Sequence, residues 1–303
     1  MSNKQTIGFV GIGMMGWPMA ACLHGAGHDV LVFDSDRARV ERFCEEVGGR
    51  DAASLRQVGE EAGMVITMLP SSAVVTAVLF GEADPLAPSL APDSLVIDMT
   101  SGVPDETRNI ATRLREGGIR IIDAPVSGGV PRAQRGELSI MTGGRPEDIE
   151  DALPVLQAMG TVMQVGELGA GQAMKVLNNL VSAGGFLIGI EALLIGKRFG
   201  LDPNTMVDVL NASTGMNNST KNKFKQYVLS RGFDAGFSLG LMNKDISIAL
   251  DMARASGVAV PFSALCREMW SAAGTALEGE KDHTAVALLS ERLAGVSLEP
   301  SEN

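Results

Sequence analysis

The chain is poor in the groups most often used for metal ligation and redox chemistry. Its 303 residues include three cysteines, Cys22, Cys44 and Cys266, scattered and odd in number. With no C-x-x-C spacing among them, a zinc site and a disulfide framework are excluded, and a reducing, cytoplasmic compartment is expected. Histidine is equally scarce. His24 and His28 sit beside the first helix and His283 lies near the C-terminus, so all three read as surface or cap residues. Tyrosine occurs once, as Tyr227. The greasiest stretch, residues 180–196, is broken by Glu191 and by four glycines, and reads as a buried helix of a soluble protein rather than a membrane span. The first strand starts a few residues after Met1, which leaves no room for a targeting segment. Positive charge is also in deficit. Lys plus Arg number 25 against 36 Asp plus Glu, a net charge of −11, which argues against nucleic acid and anionic membranes as partners. An anionic substrate therefore needs a local, donor-rich pocket.

What is present is ample apolar material, 45% of the residues, on a chain long enough for two domains. Short β-branched runs at Thr6–Val10, Asp29–Phe33, Met64–Met68, Ser94–Asp98, Arg120–Asp123, Leu138–Thr142 and Thr161–Val165 alternate with helical patterns. Continuous apolar strands separated by helices predict a mostly parallel sheet covered on both faces, a Rossmann-type α/β domain over residues 1–166. After Gly166 the strand-like runs stop. Helical periodicity then predicts an all-α domain over residues 167–303, built for substrate binding and oligomerisation. Its first helix spans Ala170 to Phe199, is closed by Gly200, and joins the domains in the absence of a Gly/Ser linker.

The run Gly11-Ile12-Gly13-Met14-Met15-Gly16 follows a strand and opens a helix. In that context G-x-G-x-x-G is a dinucleotide fingerprint. Gly11 permits the tight turn, Gly13 lets the backbone approach a pyrophosphate, and Gly16 lets helix and strand pack closely. The pyrophosphate would rest on the helix N-terminus. About twenty residues on, Asp34 ends the second strand, where a carboxylate bonds ribose hydroxyls and repels a 2′-phosphate. NAD is therefore expected over NADP, with Arg37 and Arg39 nearby to soften the preference.

Two further motifs carry chemistry. In Asp123-Ala124-Pro125-Val126-Ser127-Gly128-Gly129 a strand runs into paired glycines, which free backbone N–H groups to converge beside a hydroxyl, a nest suited to a carboxylate. In the run from Gly169 to Asn179, Lys175 and Asn179 are four residues apart and share one helix face. Met174, Val176, Leu177 and Leu180 surround the lysine with apolar groups, and an amine that loses hydration shifts toward the neutral form a general base needs.

Five motifs follow in order along the chain: Gly8 to Gly16, Met68-Leu69-Pro70, Asp123 to Gly129, Gly171 to Asn179, and Lys244-Asp245. With them the chain resembles the β-hydroxyacid dehydrogenase family, of which the 3-hydroxyisobutyrate enzymes are the best known. The resemblance implies that Lys175 is the catalytic lysine and that Asn179 helps hold substrate and lysine. It implies that Ser127, Gly128 and Gly129 bind the substrate carboxylate. Leu69, Pro70 and Thr100 would line the nicotinamide and its ribose, and Lys244 would reach over cofactor or substrate, with Asp245 orienting Lys244 or capping a helix.

Other hydride-transfer families fit less well. A Y-x-x-x-K pair is absent, since Arg231 stands four residues after Tyr227. No histidine follows Lys175 closely, as it would in the related 6-phosphogluconate enzymes. An NADPH-dependent reductase of small semialdehydes such as glyoxylate, succinic or tartronate semialdehyde is the alternative activity, disfavoured by Asp34-Ser35-Asp36 after the second strand. A non-catalytic cofactor-binding module is the third reading, and retention of Lys175, Asn179 and Ser127 argues against it. The polar stretch 213–221 has two readings: it reads a second substrate group through Asn217, Asn218 or Lys221, or it is a solvated helix start with Asn and Ser caps. Finally, the long helix is apolar almost all round, which predicts a homodimer or homotetramer through the helical domain.

Overall fold

Runs of Val, Ile and Leu with no polar interruption form strands buried on both faces, and the first half of the chain has them in series. In the computed structural model, which describes residues 6–277 and 281–299, these runs pair as expected. The strands are β1 (Thr6–Val10), β2 (Asp29–Phe33), β3 (Arg50–Asp51), β4 (Met64–Thr67), β5 (Leu95–Asp98), β6 (Arg120–Asp123), β7 (Val126–Ser127), β8 (Leu138–Gly143) and β9 (Gly160–Gly166). Among the described residues they make one sheet in the order β3-β2-β1-β4-β5-β6-β8-β7, with β9 also on β8. The strands from β3 to β6 are parallel; β8 runs antiparallel to β6 and β7 and parallel to β9. The order reverses between β1 and β4, the place where open α/β sheets bind ligands.

The two-residue periodicity of strands sorts the core. Ile7 and Phe9, Met64 and Ile66, and Leu95 and Ile97 pack on one face of the sheet. Val10, Val65 and Val96 pack on the other. Each face is covered by helices, so both clusters are closed to water.

The chain divides into two compact units, residues 1–175 and 176–303. The second is helical, with helices at Pro203–Asn211, Asn218–Asn222, Leu239–Ala255, Pro261–Ala276 and Val286–Ala294 and a π-helical turn at Phe224–Leu229. The long helix Ala170–Phe199 begins in the first unit and continues into the second. It ends where Gly200 adopts a φ of +102° and the Leu201 amide donates back to the Gly196 carbonyl, a glycine stop that only a residue without a side chain makes cheaply. Lys197 and Arg198 in its last turn complement the helix dipole.

The core of the second unit gathers Ala183, Phe186, Ile190 and Leu193 of this helix against Phe224, Met242, Ile246 and Trp270. Its opposite face is uncovered: Val181, Ile188 and Ile195, seven residues apart, are 76%, 54% and 72% exposed. His283 differs from the expectation of a surface or cap position. It is 3% exposed, stacked on Trp270, with Nδ1 3.1 Å from the Phe237 carbonyl oxygen. The neighbouring Asp282 takes the capping role instead, accepting from the Thr284 amide and hydroxyl. Burial pushes the His283 imidazole pKa down and keeps the ring neutral.

Candidate active site

The fingerprint turn is built where three backbone segments crowd together. Gly11 sits at a φ of +95°, donates to the Phe33 carbonyl at 2.8 Å, and has no space for a Cβ against the Met68 carbonyl oxygen. A Cβ on Gly16 would collide with the Gly11 carbonyl oxygen. Gly13 is the opposite case: nothing lies within 4 Å of where its Cβ would be, so its backbone is open to an approaching phosphate. A groove of about 650 Å³ opens beside it, lined among others by Ile12, Met14, Trp17, Arg39 and Arg42. Ile12 is buried, Met15 is half-buried and Met14 is exposed at the mouth. These features fit a dinucleotide pyrophosphate at the fingerprint.

Asp34 lies at the end of β2 and is 8% exposed. One carboxylate oxygen accepts from the Ile12 amide and the other from the Asp36 amide, both at 2.9 Å. The carboxylate is thereby aimed at the fingerprint turn. Arg39 reaches both oxygens of Asp34 at 3.2 Å and also pairs with Asp36 at 3.1 Å, so this cation is shared between two carboxylates. Arg37 points elsewhere, to Asp51 and the Ala52 carbonyl. Beyond β4, the Leu69 amide donates to the buried Thr100 hydroxyl, which fixes the Met68-Leu69-Pro70 loop at the carboxyl end of the sheet.

The start of the long helix is locked to the same edge. Asp123, last residue of β6 and fully buried, accepts from the Gly169 and Gln172 amides at 2.7 Å each. It supplies an anion to amides that have no partner within the helix. Gly143 and Gly171 leave the room, since a Cβ on either would fall 2.6 or 2.7 Å from an Asp123 oxygen. Gln172, also fully buried, accepts from the Gly102 amide at 2.7 Å and contacts Asp98, itself bonded by Thr67 and by the Thr100 amide. One turn of helix after this anchor comes Lys175, half-buried. Four residues after Asp123, Ser127 ends β7, with Gly128 and Gly129 at φ of +142° and +68° turning the chain beside its hydroxyl.

In the second unit, Asn179 and Asp245 are both buried and joined by a 2.6 Å hydrogen bond from the Asn179 amide to the carboxylate. That bond decides which end of the amide faces Asp245. The Asn178 amide donates to the Asn179 oxygen, in agreement with the same orientation. Lys244 lies 3.5 Å from Asp245. Asp245 thus orients Asn179 as well as Lys244, a link the sequence does not announce across 66 positions. The anchoring roles of Asp98, Asp123 and Gln172 are likewise not announced by the sequence. The available signal was an aspartate closing each of two adjacent strands, and these two are register partners in the sheet.

Known proteins bear on this arrangement. Residues 6–169 match the model of the NAD binding domain of 6-phosphogluconate dehydrogenase, and residues 169–290 that of the NAD-binding domain of NADP-dependent 3-hydroxyisobutyrate dehydrogenase. The 3-hydroxyisobutyrate dehydrogenase of Pseudomonas aeruginosa is 39% identical over 273 residues, 88% of this chain and 91% of that one. The chain belongs to the β-hydroxyacid dehydrogenase family. The 2-(hydroxymethyl)glutarate dehydrogenase of Eubacterium barkeri is another relative, 32% identical over 98% of this chain and 99% of its own length. The solved 3-hydroxyisobutyrate dehydrogenase of Mycobacterium tuberculosis, with L-serine, superposes at a TM-score of 0.84 with 32% identity, covering 94% of this chain and 99% of that one. This β-hydroxyacid dehydrogenase is accordingly an NAD(P)-dependent oxidoreductase that transfers a hydride from the CH–OH of a small hydroxy acid.

The anchor of the long helix has a pH signature. Burial raises the Asp123 pKa to about 6, opposed by the two amide bonds and reinforced by the nearby Asp98 carboxylate. A carboxyl whose folded pKa lies above its unfolded value adds stability below the unfolded value and loses it as pH rises through the folded one. Between pH 4 and pH 7 the wild type should therefore lose on the order of 3 kcal/mol relative to Asp123→Asn, whose side chain does not titrate. Urea unfolding of both proteins at the two pH values measures this; a pH-independent difference would contradict it.

Proposed function

We propose that this dehydrogenase oxidises the alcohol of a small 3-hydroxy acid, with Lys175 as general base and NAD as the preferred cofactor. The substrate carboxylate is received by the Ser127 hydroxyl and the Gly128 and Gly129 amides. Lys175 takes the hydroxyl proton, and Asn179, held by Asp245, donates a hydrogen bond to the same oxygen. Lys244 adds positive charge over cofactor or substrate. When bound at the fingerprint, the nicotinamide supplies the hydride acceptor, and Leu69, Pro70 and Thr100 line its site. The observation that carries this reading is the long helix itself. It holds Lys175 and Asn179 one turn apart, after a first turn tied to the sheet by Asp123 and Gln172.

The test is initial rates on a panel of 3-hydroxyisobutyrate, L-serine, L-threonate, glycerate and 2-(hydroxymethyl)glutarate, each with NAD and with NADP. Lys175→Ala should lower kcat by about 10²–10⁴ on any acid the wild type oxidises, with NADH binding unchanged. A variant that keeps most of its turnover would remove Lys175 from the mechanism. The same panel reads the cofactor. A 2′-phosphate would meet Asp34 and Asp36 while Arg39 is engaged by both. NAD should therefore exceed NADP in kcat/KM by about tenfold or more; equal use of both would overturn the Asp34 assignment.

The helical unit is also proposed to form a homodimer or homotetramer. Met174, Val181, Ile188 and Ile195 recur every seven residues along one stripe of the long helix and are all exposed in the single chain. A seven-residue apolar repeat is the pattern helices use to pack along one another. This helix, long and apolar enough to cross a membrane, is read as a core helix because its other face is the core of the unit, and the proposed cytoplasmic location rests on the scattered, odd-numbered cysteines. Sedimentation at micromolar concentration should give a dimer or larger; a monomer only would contradict the assignment.

A further inference from the structure

The polar stretch 213–221 does not offer the side chains expected from sequence. Asn217 is spent on a capping box: its oxygen accepts from the Ser219 and Thr220 amides, and its nitrogen donates to the Gly185 carbonyl. Asn218 accepts from Asn222, and Lys221 is exposed. The residue brought against the long helix is Lys223, two positions further on.

Lys223 stands at the junction between the short helix Asn218–Asn222 and the π-helical turn that follows. The next residue, Phe224, is fully buried and packs edge-on against Phe186 of the long helix, with ring centroids 5.3 Å apart. Gly189 makes room for that ring, since a Cβ there would come within 2.6 Å of it. Phe224 therefore anchors the backbone at Lys223. The half-buried ammonium lies 3.4 Å from the Ser182 hydroxyl and 6.0 Å from the Phe186 ring centroid. Its charge is felt as far as His283, whose protonation it opposes after burial has already done so.

Lys175, Asn179, Ser182 and Phe186 recur at spacings of four, three and four residues, the pattern of one helix side. Along the axis Ser182 stands about 4.5 Å beyond Asn179, at 1.5 Å per residue. A substrate oxygen held at Asn179 thus leaves the rest of a small molecule a few bonds short of Lys223. The chain's net charge of −11 repels anions at long range, so a cation at this place can only act locally.

We infer that Lys223, steadied by Ser182, is a specificity-determining residue that receives a second anionic group on the substrate, so that the preferred substrates are 3-hydroxy acids carrying a further carboxylate. This rests on the reading of Lys175 and Asn179 given above and adds the second contact.

The test compares three matched probes with the full-length enzyme: 2-(hydroxymethyl)succinate, its distal monoamide, and 3-hydroxyisobutyrate. The wild type should prefer the diacid over the monoamide by about tenfold in kcat/KM. Lys223→Met should abolish that preference by raising KM for the diacid about tenfold, with kcat and both monoanionic probes within about twofold. Lys223→Arg should restore most of it. Retained activity on 3-hydroxyisobutyrate shows that the variant is folded. Calorimetric binding of the same probes to NADH-loaded enzyme reads the subsite without turnover, and there too the diacid preference should vanish in Lys223→Met. Equal losses on all three probes, or a wild type that does not distinguish diacid from monoamide in rate or binding, would overturn the inference. Failure of the base assignment shows up separately, as turnover that survives Lys175→Ala.

Discussion

The constraint on which the rest depends is the burial of one carboxylate, Asp123, against the first turn of a thirty-residue helix. Helix amides at an N-terminus need an acceptor, and a carboxylate inside a protein needs donors. Here each satisfies the other in a space kept open by two glycines, Gly143 and Gly171. The arrangement fixes three things together: the end of β6, the loop that runs four residues on to Ser127, and the helix that reaches Lys175 one turn later. The base proposed at Lys175 needs placement more than it needs strength, because proton transfer requires hydrogen-bond distance first and a matched pKa second. Burying Asp123 costs enough to raise its pKa to about 6, and the position it secures for the helix is what that cost accompanies.

A second buried carboxylate does a different job. Asp245 is fully buried and bonds the Asn179 amide at 2.6 Å. An asparagine amide has a donor end and an acceptor end of nearly equal size, so packing alone does not choose between them. A charged acceptor does, and it leaves the second amide hydrogen to be aimed elsewhere. For the substrate oxygen proposed to meet Asn179, which loses its proton during reaction, a donor is the useful partner and an acceptor the harmful one. The first unit thus sets where the helix starts, while the second sets the polarity of the amide it carries.

Much of this was legible in the sequence, and the exceptions have physical causes. Seven strands and the long helix were read from periodicity because each is long enough to show a period. Arg50–Asp51 and Val126–Ser127 are two residues each, too short for any pattern to repeat. The fingerprint glycines were legible because backbone crowding leaves few other residues possible at Gly11 and Gly16. The roles of Asp123 and Gln172 were not, because their partners lie 46 to 74 positions away. The polar stretch had two readings, and a local reason decides between them at Asn217. Asn217 looks like a substrate reader and serves as a helix cap, a competition that backbone amides usually win over absent ligands. Lys223 was hidden because the π-turn behind it departs from the helical spacing by which its direction would be judged. His283 was hidden because stacking on Trp270 is a property of two segments and not of one.

The charge distribution makes sense of where the cations are. A protein with a net charge of −11 does not draw anionic substrates from a distance, and beyond about 8 Å its field is screened in any case. Discrimination must come from the few cations that meet the ligand at contact. Around the fingerprint, Arg37 and Arg39 are engaged by carboxylates, which leaves local charge near balance and suits a cofactor with no extra phosphate. Three lysines bear on the proposed substrate site: Lys175 lies on the long helix, Lys244 pairs at 3.5 Å with the carboxylate that holds Asn179, and Lys223 approaches the Ser182 hydroxyl one turn further on. A monoanion needs its carboxylate received once, the role proposed for the neutral donors of the Ser127 loop. Further cations on the helix side would gain little from such a ligand and much from one that brings a second negative charge. Cations acting at contact, as proposed for Lys223, would let a protein whose net charge attracts anions poorly discriminate among those that arrive.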